Sequence, residues 1–313
     1  MKIVFIKIIL LSIIVIPTTS LAQEDLEKLI KVDSSLNEKV YSTFKSGSLI
    51  NLKTIETLHK KELDFRVDHR FGDIAGSSGG PKNFFGLDNS TDIRIGFEYG
   101  IIDDLNIGIS RAKGAADQTQ LYEGNLKYRF LEQTIDNRIP LSIALFVSTT
   151  ISAAESSEDK SMANSYNNFR DRLVYVSQLI IARKFNSSFS LIMSPTYVHR
   201  NYTAFGDQNS IFALGIGGRL KMTKRLSLIA DYFIPFKSKT KLEYMESTWD
   251  KKYYKALGVG LEIETGGHVF SLNFTNAKSI QEGQIIPETY SSWSKGQFRW
   301  GFGITRRFSF GER

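Results

Sequence analysis

From Glu62 to the end of the chain, apolar and polar residues alternate with a period of two. Leu63, Phe65, Val67 and Phe71 alternate with Glu62, Asp64, Arg66, Asp68 and Arg70. Ile93, Ile95, Phe97 and Tyr99 alternate with Asp92, Arg94, Gly96 and Glu98, and Leu126, Tyr128 and Phe130 with Asn125, Lys127 and Arg129. The pattern recurs through Leu257–Ile263, Phe270–Phe274 and Phe298–Phe310. A period of two is the mark of strands with one apolar and one polar face. About twelve such segments can be traced. One of them, about 171–184, has no clean polar face and cannot be oriented from its pattern. An even number suits a membrane barrel, and a strand of ~11 residues tilted by ~40° spans a ~25 Å apolar band. The connections alternate in length. Polar stretches at 72–91, 153–170, 236–252 and 277–295 alternate with tight turns at 101–104, 185–188, 221–225 and Gly266-Gly267. Long loops at one end and tight turns at the other are the habit of an outer-membrane barrel. The expectation is an all-β, transmembrane, up-and-down antiparallel β-barrel of about twelve strands over 62–313, with a short arm before it.

The first residues read differently. Lys2 and Lys7 precede an almost wholly apolar run, Ile8 to Ile16, and Ser20-Leu21-Ala22 offers small residues at the spacing of a cleavage site. The run is too short to span a membrane, so 1–22 reads as a signal peptide cut after Ala22. Residues 23–61 fit neither leader nor barrel. Leu26, Leu29 and Ile30 fall at helical spacing, and the stretch to 61 reads as a periplasmic or lumen-inserted arm. Tyr41, Phe44, Leu49 and Ile50, interspersed with Lys45 and Lys53, suit a segment folded back into the barrel mouth, its lysines facing Glu262 and Glu264. A loose periplasmic tether is the alternative.

Composition agrees. Aromatics make up 12% of the chain and prolines number only 6, which favours many short strands over helices. The mean hydropathy of −0.18 is what a barrel with an apolar outside and a polar inside averages to. With no cysteine, disulfides, thiolate metal sites and a lipidated cysteine are excluded. The net charge of +7 is spread along the chain without a basic run, which argues against nucleic acid. Tyr99, Phe130, Phe185, Phe189, Phe308 and Phe310 fall toward one strand end, and Tyr197 and Phe298 toward the other, as two aromatic girdles would.

No catalytic constellation emerges. The histidines are His59, His69, His199 and His268. His268 and Ser271 lie three apart on a strand and point to opposite faces, so they cannot form a nucleophile–base pair. Asp68, Asp92 and Glu123 face inward, but parity brings no histidine to them. Gly76–Lys82 lacks phosphate-loop spacing, and Glu155, Glu158 and Asp159 suit a solvated loop. The chain reads as a non-enzyme without cofactor or metal. Its chemistry lies on the inward parity: Arg66, Asp68, Arg70, Arg94, Glu98, Glu123, Lys127, Arg129, Arg219, Asp231, Glu262, Glu264 and Arg299. Nearly balanced signs admit two readings. The charges pair and fill a narrow interior, or they line a water-filled pore.

Several phrases are distinctive: TFKSGSLIN at 43–51, ELDFRVDHRFGDIAG at 62–76, FFGLDNSTDIRIGFEYGI at 84–101, LYEGNLKYRFL at 121–131, SPTYVHRN at 194–201 and IETGGHVFSLNFTNA at 263–277. They resemble a family of Gram-negative outer-membrane β-barrels known as a domain of unknown function. The resemblance covers essentially the whole mature chain. It implies fold and location, and it carries no activity or site residues. The expected function is a passive channel or transport barrel of unspecified substrate, and the alternative is a structural or surface-interaction barrel acting through its long loops. The expected partners are outer-membrane lipid and the barrel-assembly machinery, and the oligomeric state stays open.

Overall fold

A computed structural model describes residues 38–76 and 78–310. The expected signal peptide, its cleavage site and the helical spacing at 26–30 lie outside the described residues. The strands are β1 (Glu62–Asp73), β2 (Ser90–Ile102), β3 (Leu105–Ala112), β4 (Leu121–Leu131), β5 (Ser142–Ser152) and β6 (Leu173–Lys184). They continue with β7 (Phe189–Arg200), β8 (Ser210–Lys221), β9 (Leu226–Phe236), β10 (Leu257–Thr265), β11 (His268–Thr275) and β12 (Arg299–Ser309). Each pairs antiparallel with its sequence neighbours, and β1 pairs with β12, so the barrel is closed. Closure leaves no strand edge unpaired in the wall, as a bilayer demands.

Alternation fixes which way each strand faces. Ile95, Phe97, Ile107, Ile109, Leu126 and Leu272 are exposed on the outside, while Arg94, Asn106, Ser110, Glu123, Lys127 and Asn273 are buried within. A slip of one residue would reverse every strand. Tyr99, Phe130, Phe185, Phe308 and Phe310 are exposed at the tight-turn end, and Tyr122, Tyr175 and Phe212 at the other. The β2–β3 connection is only two residues long, and Asp104 takes a φ of 69° there, as the tightest hairpins require. At the opposite end the loops are partly folded. The 237–256 connection carries a helix, α1 (Lys239–Trp249), where the sequence suggested only a polar loop. Its Met245 is buried against Ala163 and Ala204, with Tyr244 and Trp249 packed around them. Three loops share this small apolar cluster, so α1 is stabilised by tertiary contact that its own sequence does not announce.

β6 is oriented by its surroundings. Val174, Val176, Gln178, Ile180 and Ala182 point inward and are buried, whereas Tyr175 and Leu179 are exposed. Its inner face is apolar because it packs against protein. Phe146 on β5, Ile192 and Val198 on β7, Ile211 on β8, and Ile229 and Phe233 on β9 continue that arc. Charge on the inner wall is carried mainly by β1, β2, β4, β10 and β12, with Arg219 on β8 and Asp231 on β9.

Candidate functional site

The interior is occupied by two segments of the chain itself. The first is the arm. It enters at the tight-turn end, where Lys39 bridges to Thr134 and the Val40 N–H donates to the Gln133 carbonyl at 2.8 Å. It then climbs, turns and returns as a narrow hairpin. The Leu49 N–H donates to the Leu52 carbonyl at 2.8 Å, and the Thr54 N–H to the Gly47 carbonyl at 3.0 Å. The descending limb reaches the rim again where the Leu58 N–H meets Asn106 Oδ1 at 2.9 Å, just before β1 begins.

On the apolar arc, Phe44, Leu49, Leu52 and Ile55 join Phe146, Ile180, Ile211 and Phe233 in one core. Two glycines make room for them. A Cβ on Gly215 would lie 2.6 Å from Leu52 Cδ1, and one on Gly217 would lie 2.6 Å from Leu49 Cδ1. Removing these apolar groups from water supplies the non-directional part of the attachment.

The polar part is directional. Asp231 on β9 accepts the N–H groups of Ile50, Asn51 and Leu52 at 2.9, 2.6 and 3.2 Å, and Asn51 Nδ2 at 2.7 Å. Successive N–H groups converging on one carboxylate form an anion nest, with the anion here supplied by the wall. Lys127 donates to the Gly47 and Glu56 carbonyls at 3.3 and 2.9 Å, and Arg66 to Ser46 Oγ at 2.6 Å. A turn inside a barrel has backbone groups with no strand to pair with, and these side chains satisfy them.

The second segment is the β11–β12 loop, which descends from the long-loop end. Ala277, Ile285 and Ile286 are buried in the same core, and a one-turn helix, α2 (Glu282–Ile285), lies along β6. Arm and loop meet at Arg70. Its guanidinium donates to the Ala277 and Ser279 carbonyls of the loop at 2.9 and 2.5 Å, and to Asn51 Oδ1 of the arm at 2.7 Å. Lys53 of the arm lies 3.6 Å from Glu282 of the loop. Asp92 accepts the Ile280 N–H at 2.9 Å. At the upper mouth, Arg200 contacts Glu288 of the loop at 2.7 Å and Asp207 at 2.8 Å, and Lys237 lies 3.3 Å from Asp207. Burial pushes the Glu288 carboxyl up to about 7, against the pull of Arg200. Burial works the same way on Asp207, but Arg200 and Lys237 outweigh it and hold that carboxyl below its ordinary value.

All thirteen inward-parity residues named from the sequence lie on the inner wall or its rim, mostly paired. Arg66 and Arg94 share Asp68 at 2.8 and 3.9 Å, and Arg94 reaches Glu123 at 3.0 Å. Arg219 holds Glu262 and Glu264, both at 2.6 Å. Arg299 pairs with Asp73. Arg129 binds Asp104 at 2.5 Å and Glu132 at 3.1 Å at the tight-turn rim. Glu98 lines a cavity of about 20 Å³ with Ser46, Arg66 and Arg94. Lys45 reaches Glu264 at 3.2 Å. Lys53 does not face Glu262 as the sequence suggested, because Arg219 already holds that acid and the loop brings Glu282 closer. Parity also missed the apolar arc of the inner wall and the loop's descent. The signal was present in the unorientable β6 and in the three isoleucines, Ile280, Ile285 and Ile286, of an otherwise polar loop. None of the four histidines faces the interior: His59 is exposed at the rim, and His69, His199 and His268 lie on the outward parity.

A family model described as a membrane-bound beta barrel domain (DUF5777) matches residues 44–308. No curated protein matches the chain. Among solved structures, an outer membrane channel from Pseudomonas putida is 12% identical with a TM-score of 0.48, over 81% of this chain and 98% of that one. The NanC porin is 10% identical with a TM-score of 0.47, over 78% and 98%. The KdgM porin is 9% identical with a TM-score of 0.45, over 79% and 99%. The family match starts inside the arm and ends in β12, so it takes in the inserted hairpin together with the wall. The chain therefore belongs to the DUF5777 family of membrane-bound β-barrels.

Proposed function

We propose that the protein is a passive outer-membrane channel whose resting state is closed by its own N-terminal arm. One observation carries the reading. The wall closes through β1 and β12 without any strand from the arm, so the arm can leave with every strand–strand pair intact. What it would leave behind is an inner wall charged on β1, β2, β4 and β8–β10 and at the ends of β12, the lining a polar solute needs. The β11–β12 loop forms the second half of the closure. In this reading 1–22 is cleaved on export, and the tight-turn end with the arm's entry faces the periplasm. The barrel sits in outer-membrane lipid after delivery by the assembly machinery, and it performs no catalysis. Liposome swelling in sugars of graded size tests it. A folded chain lacking residues 23–60 should admit small sugars that the intact chain excludes, and equal exclusion by both defeats the reading.

A second reading has its own support. The cluster of Met245, Ala163 and Ala204, with Trp249 Nε1 donating to the Phe205 carbonyl at 3.2 Å, makes the loop end a rigid platform suited to surface interaction. On that reading, deleting α1 abolishes the protein's function while permeation is unchanged.

A further inference from the structure

The outer wall carries a depression with a charged upper edge. Between β2 and β5 a cavity of about 680 Å³ opens on the apolar face, lined by Phe97, Ile109, Tyr122, Gly124 and Ile151, with Arg111 among the residues bounding it. Its cause is local. Gly124 stands on the outward parity of β4, and a Cβ built there would meet nothing within 4 Å. The missing side chain leaves Ile109, on the neighbouring strand, 68% exposed.

Arg111 is unusual in its place. It lies on the outward parity of β3, which otherwise carries Leu105, Ile107 and Ile109. On β2 to β5 no acidic side chain shares that parity among the described residues. Its guanidinium sits 5.0 Å from the Tyr122 ring and gives one hydrogen bond to the Ala112 carbonyl, so most of its five donors remain free. Lys113 follows at the same rim and donates to the Ser90 carbonyl at 3.0 Å. An arginine facing a bilayer is costly unless it reaches the headgroup region and finds an anion there.

We propose that this groove is a binding site for a phosphate-bearing anionic lipid, one acyl chain lying over Gly124 and its phosphate held by Arg111. A void in an apolar wall forfeits dispersion contacts, and an ordered chain recovers them. The planar guanidinium fork matches phosphate oxygens, and a headgroup without a cation of its own leaves that phosphate's charge for Arg111 to neutralise. The charge pattern selects a lipid over a second copy of the barrel, because the outward face of β2–β5 offers no acid to pair with Arg111.

The test is native mass spectrometry of the full barrel released from detergent, with phosphatidylglycerol and phosphatidylcholine of identical chains as probes. The intact protein should retain phosphatidylglycerol about tenfold better, the least that a charge-assisted hydrogen bond contributes. Arg111→Gln should erase that preference while leaving chain binding, and Gly124→Leu, which fills open space, should lower retention of both lipids. Heat-dependent gel mobility confirms that each variant is folded. Equal retention of the two lipids by the intact barrel overturns the proposal. So do variants indistinguishable from it, or dimers crosslinked through Tyr122→Cys that vanish in Gly124→Leu.

Discussion

Replacing Asp231 with Asn perturbs the arm at its tip while conserving shape. The carboxylate accepts three consecutive N–H groups and one side-chain amide. An amide in its place has one acceptor oxygen, and its NH₂ group is turned against N–H donors. A hydrogen bond to a charged group is worth ~1.5–3 kcal/mol. These bonds act on one turn and do not add, so the loss is set at about 3 kcal/mol. At 1.4 kcal/mol per tenfold, the population with the arm withdrawn rises by roughly a hundredfold. The chain has no cysteine, so a single Ser46→Cys reports on that population without interference. Ser46 is buried beneath Arg66, and a membrane-impermeant maleimide reaches it only when the arm leaves. The labelling rate in the Asp231→Asn, Ser46→Cys protein should exceed that of Ser46→Cys alone by roughly two orders of magnitude. Equal rates, with both proteins folded by heat-dependent mobility, would refute the idea that the wall carboxylate holds the arm.

Three further outcomes follow from the same contacts. Gly217→Val should expel the arm, since even a Cβ lies 2.6 Å from Leu49 Cδ1, and Leu49→Ala should restore slow labelling in the double variant. Lys53→Met should loosen both inserted segments by ~3–5 kcal/mol because it strands buried Glu282, and adding Glu282→Gln should return most of that loss in a thermal melt. The Glu288 carboxyl, raised to about 7, favours the buried loop in its protonated form, so this contribution is complete below the ordinary carboxylate range and fades as pH rises through 7. Ser291 is buried in the same loop; its labelling as Ser291→Cys, divided at each pH by the rate of a free thiol because only the thiolate reacts, should accelerate between pH 5 and pH 8, and Glu288→Gln should flatten that ratio.

The wall was legible in the sequence because each strand faces two solvents of opposite character. Where Leu63–Phe71 alternates with Glu62–Arg70, lipid outside and charge inside impose a period of two. Alternation disappears in β6 because its inner face is buried in the same core as Leu49, Leu52 and Ile285 in place of water or charge, and both faces are then apolar. The charged parity gave the inner wall but not the pairs. Strand parity states which face a residue takes and is silent on its height, which is why Lys53 was matched to Glu262 instead of Glu282. The loop's descent and α1 depend on contacts between segments far apart in the chain, such as Met245 with Ala163, and no local pattern encodes those.

Channel recordings in planar bilayers, with the intact protein beside the chain lacking residues 23–60, show whether the arm closes the barrel. The truncation removes the apolar hairpin, the Ile50 carbonyl and Asn51 Oδ1 that Arg70 reaches at 3.3 and 2.7 Å, and the cation facing Glu282, so the remaining loop loses its support as well. The intact protein should be nearly silent, and the truncation should show discrete, long-lived openings. A truncated barrel that is folded by heat-dependent mobility, yet as silent as the intact chain, would contradict it.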